Sequence, residues 1–531
     1  MPRGRSVPGV VLIVAAALLL YGPYLGSAPI YLGQDEVFFA VSAQSIATTA
    51  HDINGRFLPL YFQWPGRSPA VWFQPIPVYF TALFLKVLPV SEWTIRLPTL
   101  VVGLTDIVLI YFIAARIFKR ERSAIVAAVL LMLTPAHLIH SRLAMDFLYP
   151  LVFLMAWFLC LLIFMERQQL STLFAATTFL GIGFYSYIAA IAMMPIYFFI
   201  TCLTLLKTQK RPIRPLMVAA AGFIWPLLAV VPWLLGHAEA VVDTAQRYGL
   251  DAVVEPGRFE GLTSLKFLAA ITERVSLYWR YFDPAYLFLA GGGYTVNTTH
   301  RVGVFLLPMI VCLAVGLNEI ANVRRTWVNF ILVLGLLTAP LAACLVAEPY
   351  AIQRELVLLP FVVLIATVGV EYLVSARQRP LRIAAWCVLV LIPIQFCAFY
   401  VDYFTTYRVR SAFGFGGNIR GALEEIIDRD RKGDVRPVYL STDVKFVDLY
   451  WRLYVIKHGR EDLLEQTVYF DSRTLDVRSV PPGSLVLASA GRSAGGPMRS
   501  GELRTVQLLR NIDQTVCCEI LEKVSVGNKS S

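Results

Sequence analysis

Two carboxylates stand side by side in the stretch Tyr31-Leu32-Gly33-Gln34-Asp35-Glu36-Val37-Phe38-Phe39-Ala40, almost directly after the first long apolar run of the chain. Charges near hydrocarbon are costly and tend to be functional. A positioned carboxylate can act as a general base, and Asp35 is the candidate for that task with Glu36 as its support. Other ionisable residues recur beside later apolar runs: Arg96, then His140, Arg142 and Asp146, then His300 and Arg301, then Glu348, Arg354 and Glu355. Arginine presents a planar fork that matches phosphate, so acids and arginines together are the mixture that activates a hydroxyl and holds a phosphate leaving group. Arg354 is the first candidate for that phosphate, with Arg96 and Arg142 as helpers. Asp146, His300 and Arg301 are candidate substrate or metal contacts. Simpler roles compete: Arg96 as an interfacial anchor, Asp146 as a helix cap, the histidines as structural groups. Asp35, Glu36, Asp146 and His300 could together hold a divalent metal, but they carry no ligand-spacing signature and the metal reading is not favoured.

Such residues need elements to hold them at one level. The 531 residues are 57% hydrophobic and only 16% charged, with mean hydropathy +0.63. Long apolar runs with so few charges indicate a polytopic all-α membrane protein. Spans are read near 9–26, 97–117, 123–140, 147–165, 171–189, 191–207, 215–236, 302–320, 327–347, 355–375 and 381–401, about eleven in all. The first is read as a retained span rather than a cleaved signal peptide. With simple alternation, every basic cluster falls on one side: Arg3 and Arg5; Arg116, Lys119, Arg120 and Arg122; Arg167; Lys207, Lys210, Arg211 and Arg214; Arg324 and Arg325; Arg377, Arg379 and Arg382. That side is cytoplasmic by the positive-inside rule, which puts the N-terminus in the cytoplasm of a cell inner (plasma) membrane protein. The same clustering explains the net charge of +11 without nucleic acid as a partner.

Residues 1–401 are therefore read as a transmembrane domain with long external loops at 27–96 and 237–301. Residues 402–531 change composition. Strand-like runs at 437–441, 467–470 and 484–487 alternate with helix-like stretches at 419–429 and 447–458, as in a small extramembrane α/β domain. Within the first loop, 35–49 and 76–88 read as helices. Six of the eight cysteines lie in apolar spans, so no disulfide framework or zinc motif is expected. Asn297-Thr298-Thr299 and Asn528-Lys529-Ser530 fit glycosylation sequons, a short pattern that arises often by chance.

The layout resembles the GT-C class of integral-membrane glycosyltransferases, in particular protein O-mannosyltransferases and the bacterial aminoarabinose (lipid A) and galacturonosyl transferases. Asp35-Glu36 matches the acidic pair of that class in the first external loop, whose Asp is regarded as the base. Arg96-Leu97-Pro98 matches its Arg-Leu-Pro, and Ser141-Arg142 with Asp146 resembles its short turn. Tyr281-Phe282-Asp283-Pro284, followed by His300-Arg301 and Gly303, resembles the second-loop pattern of bacterial members. Arg354 with Leu359-Pro360 resembles the turn whose arginine meets the carrier phosphate. Phe73-Gln74-Pro75 stands where many relatives have Lys-Pro-Pro, Glu355 replaces a usual tyrosine, and the Trp-Trp-Asp-Tyr-Gly of oligosaccharyltransferases is absent. The resemblance implies a GT-C fold and transfer of one sugar, with inversion, from a polyprenyl-phosphate donor to a hydroxyl of a lipid, glycan or protein acceptor outside the membrane. A transporter or flippase of lipid-linked sugars is the alternative; such carriers place ionisable groups near the bilayer midplane and often show internal repeats, and no repeat is evident here.

Overall fold

A computed structural model describes residues 6–67, 69–248, 265–322, 326–431, 436–490 and 502–524. Arg3, Arg5, Arg324, Arg325 and the sequon at Asn528 lie outside the described residues. The chain divides into two compact units, one of Met1–Pro23, Asn54–Phe80 and Leu97–Tyr403, the other of Tyr24–Ile53, Thr81–Arg96 and Phe404–Ser531. The second unit thus joins two pieces of the first loop to the C-terminal region.

A helix lies in each of the eleven apolar segments. They are α1 (Ser6–Tyr21), α4 (Glu92–Phe118), α5 (Glu121–Met132) with α6 (Pro135–His140), α7 (Tyr149–Arg167), α8 (Leu170–Gly183), α9 (Ala190–Thr208), α10 (Ile213–Leu227) with α11 (Val230–Gly236), α14 (Met309–Asn322), α15 (Trp327–Thr338) with α16 (Leu341–Leu345), α17 (Leu358–Ser375) and α18 (Arg379–Phe404). The loops add α2 (Gln34–Thr49), α3 (Pro75–Leu85), α12 (Glu239–Arg247) and α13 (Leu265–Tyr278), and a short antiparallel pair of strands, β1 (Phe62–Gln63) and β2 (Trp72–Phe73). By length and apolar composition, six helices among the described residues can cross a membrane, or seven if the pair α10 and α11, bent by 41°, is one span. The chain is an integral membrane protein. Proline explains the interruptions: Pro135 and Pro340 cannot donate to the turn before them, so α5 parts from α6 and α15 from α16.

α17 is the centre of the first unit. Of its most apolar window, 78% is buried, against 28% for α18. α14 crosses α17 where Gly316 meets the carbonyl of Ile365 and Gly369 meets that of Cys312; a Cβ at either glycine would fall inside the facing backbone. Without water to drive helices together, such close approach of backbones is how membrane helices bind. The basic ends agree with one another as well. Arg116 closes α4, Arg167 closes α7, and Arg116 pairs with Glu166 at 2.5 Å, joining those two ends.

In the second unit, α19 (Thr406–Arg410), α20 (Ile419–Arg431), α21 (Val447–Lys457) and α22 (Asp462–Glu465) accompany a sheet of β3 (Arg436–Ser441), β4 (Thr467–Phe470), β5 (Ser484–Ser489), β6 (Leu503–Arg510) and β7 (Val516–Lys523). The strand order is β4-β3-β5-β7-β6. β3 pairs in parallel with both β4 and β5, and parallel neighbours need a crossover, which α21 and α22 supply between β3 and β4. β7 runs antiparallel to β5 and β6. Val486 and Ala488 of β5 and Leu521 of β7 pack with Phe470, Leu475, Val477 and Val480 into one core. The expected α/β domain is present, enlarged by the β6–β7 hairpin.

Candidate active site

The acidic pair opens α2. Gly33 is its N-cap, in extended backbone, and the Gly33 N–H donates to Glu36 Oε2 at 2.8 Å, closing the first turn as a capping box. Arg96 meets the same carboxylate with two bonds, Nε to Oε1 at 2.9 Å and Nη2 to Oε2 at 3.1 Å. Both side chains are fully buried. Arg96 lies inside α4, one turn after its first residue, rather than at a span's edge. Its other N–H groups donate to the carbonyls of Leu25 (3.2 Å), Pro29 (2.7 Å) and Tyr31 (2.9 Å). Nε, Nη1 and Nη2 together carry five N–H groups, and these five bonds engage them all. The geometry therefore gives Arg96 the task of clamping residues 25–36, not of offering a donor to a phosphate. Glu36 is consumed by the clamp. Asp35 is only partly buried at the first turn of α2, where the exposed backbone N–H groups favour a carboxylate anion.

The first unit gathers a second set of residues around Arg354, in the short 3-10 turn Ile352–Arg354 before α17. Arg354 Nε donates to Glu348 Oε2 at 2.7 Å, and its guanidinium lies 5.1 Å from the ring centre of Tyr248. Among the described residues, its two Nη groups have no hydrogen-bonded acceptor. Burial works against the guanidinium charge, but Tyr187, Tyr248 and Glu348 outweigh it and hold Arg354 protonated above its ordinary range. Glu348 is itself fixed: Gln353 Nε2 donates to its Oε1 at 3.1 Å, Asn297 Nδ2 donates to Gln353 Oε1 at 2.9 Å, and the Tyr281 hydroxyl donates to the Glu348 carbonyl. Asp146 opens the 3-10 turn Asp146–Leu148, which packs against the turn of Arg354. Tyr187 lies within electrostatic reach of both Asp146 and Arg354. The structure thus brings Asp146 and Arg354 together.

The remaining candidates sit elsewhere. Arg142 is buried, donates to the carbonyl of Tyr21 and lies 5.7 Å from the ring centre of Tyr403, which ties the turn after α6 to the end of α1. His300 is exposed with a left-handed backbone (φ +56°). Arg301 is exposed and reaches Asp402 at 3.8 Å. Among the described residues, no group of three His, Cys, Asp or Glu side chains could hold a metal ion. Tyr187, Tyr248 and Gln353 are site residues that the sequence reading did not single out, because single tyrosines and amides in loops carry no spacing signal. Asn297, read there as a sequon, is buried and spent on Gln353.

Residues 69–235 match the family model described as dolichyl-phosphate-mannose-protein mannosyltransferase. The crystal structure of ArnT from Cupriavidus metallidurans bound to undecaprenyl phosphate aligns with a TM-score of 0.59 and 13% identity, over 98% of this chain and 99% of that one. The apo structure of the same protein gives 0.58 and 12%, over 97% and 98%. An oligosaccharyltransferase of Archaeoglobus fulgidus in complex with Zn and sulfate aligns at 0.46 and 14%, over 75% of this chain and 53% of that one, too distant a likeness to carry weight. No curated protein matches the sequence. The chain has the fold of ArnT, and the GT-C resemblance read from its motifs is borne out.

Proposed function

We propose that the protein is a glycosyltransferase that moves one sugar from a polyprenyl-phosphate carrier to a hydroxyl, with inversion, at the external face of the cell inner membrane. The observation that carries this reading is the division of labour in the acidic pair. Glu36 is locked to Arg96, while Asp35 is held on a rigid helix start and keeps part of its surface open. Asp35 takes the proton of the acceptor hydroxyl as its oxygen attacks the anomeric carbon. The bond from that carbon to the phosphate oxygen breaks, and negative charge grows on the departing phosphate. Arg354 meets this charge through its Nη groups, and Glu348 and Tyr248 keep its fork aimed. Asp146 is proposed to contact the sugar or the acceptor beside it; Arg142, His300 and Arg301 are assigned supporting positions only.

The fold shared with an ArnT crystallised with undecaprenyl phosphate and the match to a dolichyl-phosphate-mannose family model both support a lipid-phosphate donor. The basic residues at the ends of α4, α7 and α9 support a cytoplasmic side there and an external α/β domain. The test is mass spectrometry of lipid A, glycolipids and envelope proteins from cells with the intact chain, without it, and with Asp35→Asn. The expected result is a sugar that is lost without the chain, with transfer reduced about 10²–10⁴-fold by Asp35→Asn at equal expression. Near-normal transfer by that variant removes the base assignment.

A further inference from the structure

The stretch that carries Asp35 is held from the C-terminal side of its own unit. Tyr450, in the first turn of α21, is buried, and its hydroxyl donates to the carbonyl of Leu32 at 2.7 Å, three residues before Asp35. Burial and the nearby carboxylates of Glu36 and Asp35 push the Tyr450 phenol up, so it remains a donor at every physiological pH. The neighbouring Tyr31 meets the backbone of Ile512 in the β6–β7 turn, and Arg408 Nε donates to the carbonyl of Ser27 at 2.8 Å. Two turns beyond Tyr450 on α21, Lys457 bonds both oxygens of Glu92 at 2.9 and 3.0 Å and Glu424 at 2.9 Å. Glu92 begins α4 one turn before Arg96, so the same helix of the α/β region grips both strands of the clamp around Glu36.

We propose that Tyr450 is a positioning residue for Asp35, and that the C-terminal α/β region is part of the catalytic assembly rather than an appended module. The proposal rests on the reading of Asp35 as the base. The carbonyl of Leu32 has no other side-chain donor among the described residues. Removing the Tyr450 hydroxyl frees the turn that aims the carboxylate, while leaving the packing of the ring in place. Displacement of a reacting group by about 1 Å is enough to lower turnover up to roughly a hundredfold.

The test uses the full chain in membranes and, purified, in nanodiscs, with Tyr450→Phe, Asp35→Asn and, as a control, Tyr469→Phe on the exposed edge strand β4. Three readouts are taken: backbone hydrogen exchange of residues 27–40, affinity for undecaprenyl phosphate, and the amount of the envelope product that intact cells make and chain-less cells lack. For Tyr450→Phe the expected result is faster exchange confined to residues 27–40, unchanged undecaprenyl phosphate affinity, and about tenfold or more less product. Tyr469→Phe changes none of these. Wild-type exchange at residues 27–40 in Tyr450→Phe overturns the proposal, as does wild-type product when Asp35→Asn makes none. Exchange that rises uniformly across the unit, with a lowered melting temperature, also overturns it, because the hydroxyl then serves stability alone. If Asp35→Asn makes normal product, the base reading is what fails, and the exchange data still decide whether Tyr450 holds the stretch.

Discussion

At the scale of single residues, the arginine beside the acidic pair and the arginine proposed to meet phosphate differ in what they have left to give. Arg96 uses all five N–H groups on Glu36 and three carbonyls; Arg354 uses Nε on Glu348. A group saturated by its own chain holds structure, and a group fixed at one corner can still take a ligand at the others. Arg354→Ala should lower sugar transfer about 10²–10³-fold, the range found when one donor to a developing oxyanion is removed. Arg354→Lys should restore only part of it, because an ammonium keeps the charge and lacks the fork. Undecaprenyl phosphate binding by the purified variants checks both statements: weaker binding in Ala than in Lys is expected, and equal binding in both and in the unaltered chain refutes the role. The sequence showed Asp35, Glu36, Arg96 and Arg354 as charged residues beside apolar runs. It did not show which were already spent, since that depends on carbonyls of residues 25, 29 and 31 turning toward one side chain.

At the scale of elements, hydropathy placed a helix in every apolar segment, because burial in lipid demands that backbone groups be satisfied within the helix. What it missed follows from local chemistry. α4 begins at Glu92, before its apolar run, because Ser91 accepts from the N–H of Thr94 and starts the helix early. The β6–β7 hairpin is not legible in the sequence because both strands interleave charges with apolar residues and β7 carries an irregularity opposite Leu509 and Arg510. The contact of α20 and α21 with Glu92 has a pH signature. Burial alone would raise the Glu424 carboxyl, but Lys457 and Arg420 reverse this and leave it below its ordinary value of 4.5. A carboxyl lowered on folding adds stability above its unfolded value and loses it as the pH falls through the folded one. Thermal unfolding of the purified chain should therefore shift downward below about pH 4.5. Glu424→Gln should flatten that limb, and an unchanged limb would show that Glu424 does not contribute.

At the scale of the whole molecule, the sequence conveyed the class, an apolar bundle with an α/β region, and conveyed poorly which pieces of chain keep company. Residues 24–53 and 81–96 belong with the C-terminal region, and no composition shift marks them. Topology gives the prediction proper to this scale. With Arg120→Cys and Arg473→Cys, each at an exposed position and introduced singly into a chain whose native cysteines are changed to serine, a membrane-impermeant maleimide added to intact spheroplasts should label only the second; labelling of the first before lysis would invert the proposed orientation. The bond from Tyr450 to Leu32 joins residues 418 apart in the chain. During synthesis the acidic turn is therefore made 418 residues before its anchor. Until residue 450 has been made, a nascent or prematurely terminated polypeptide displays the acidic turn without this fastening, and on the proposed role of Tyr450 its carboxylate is not yet aimed.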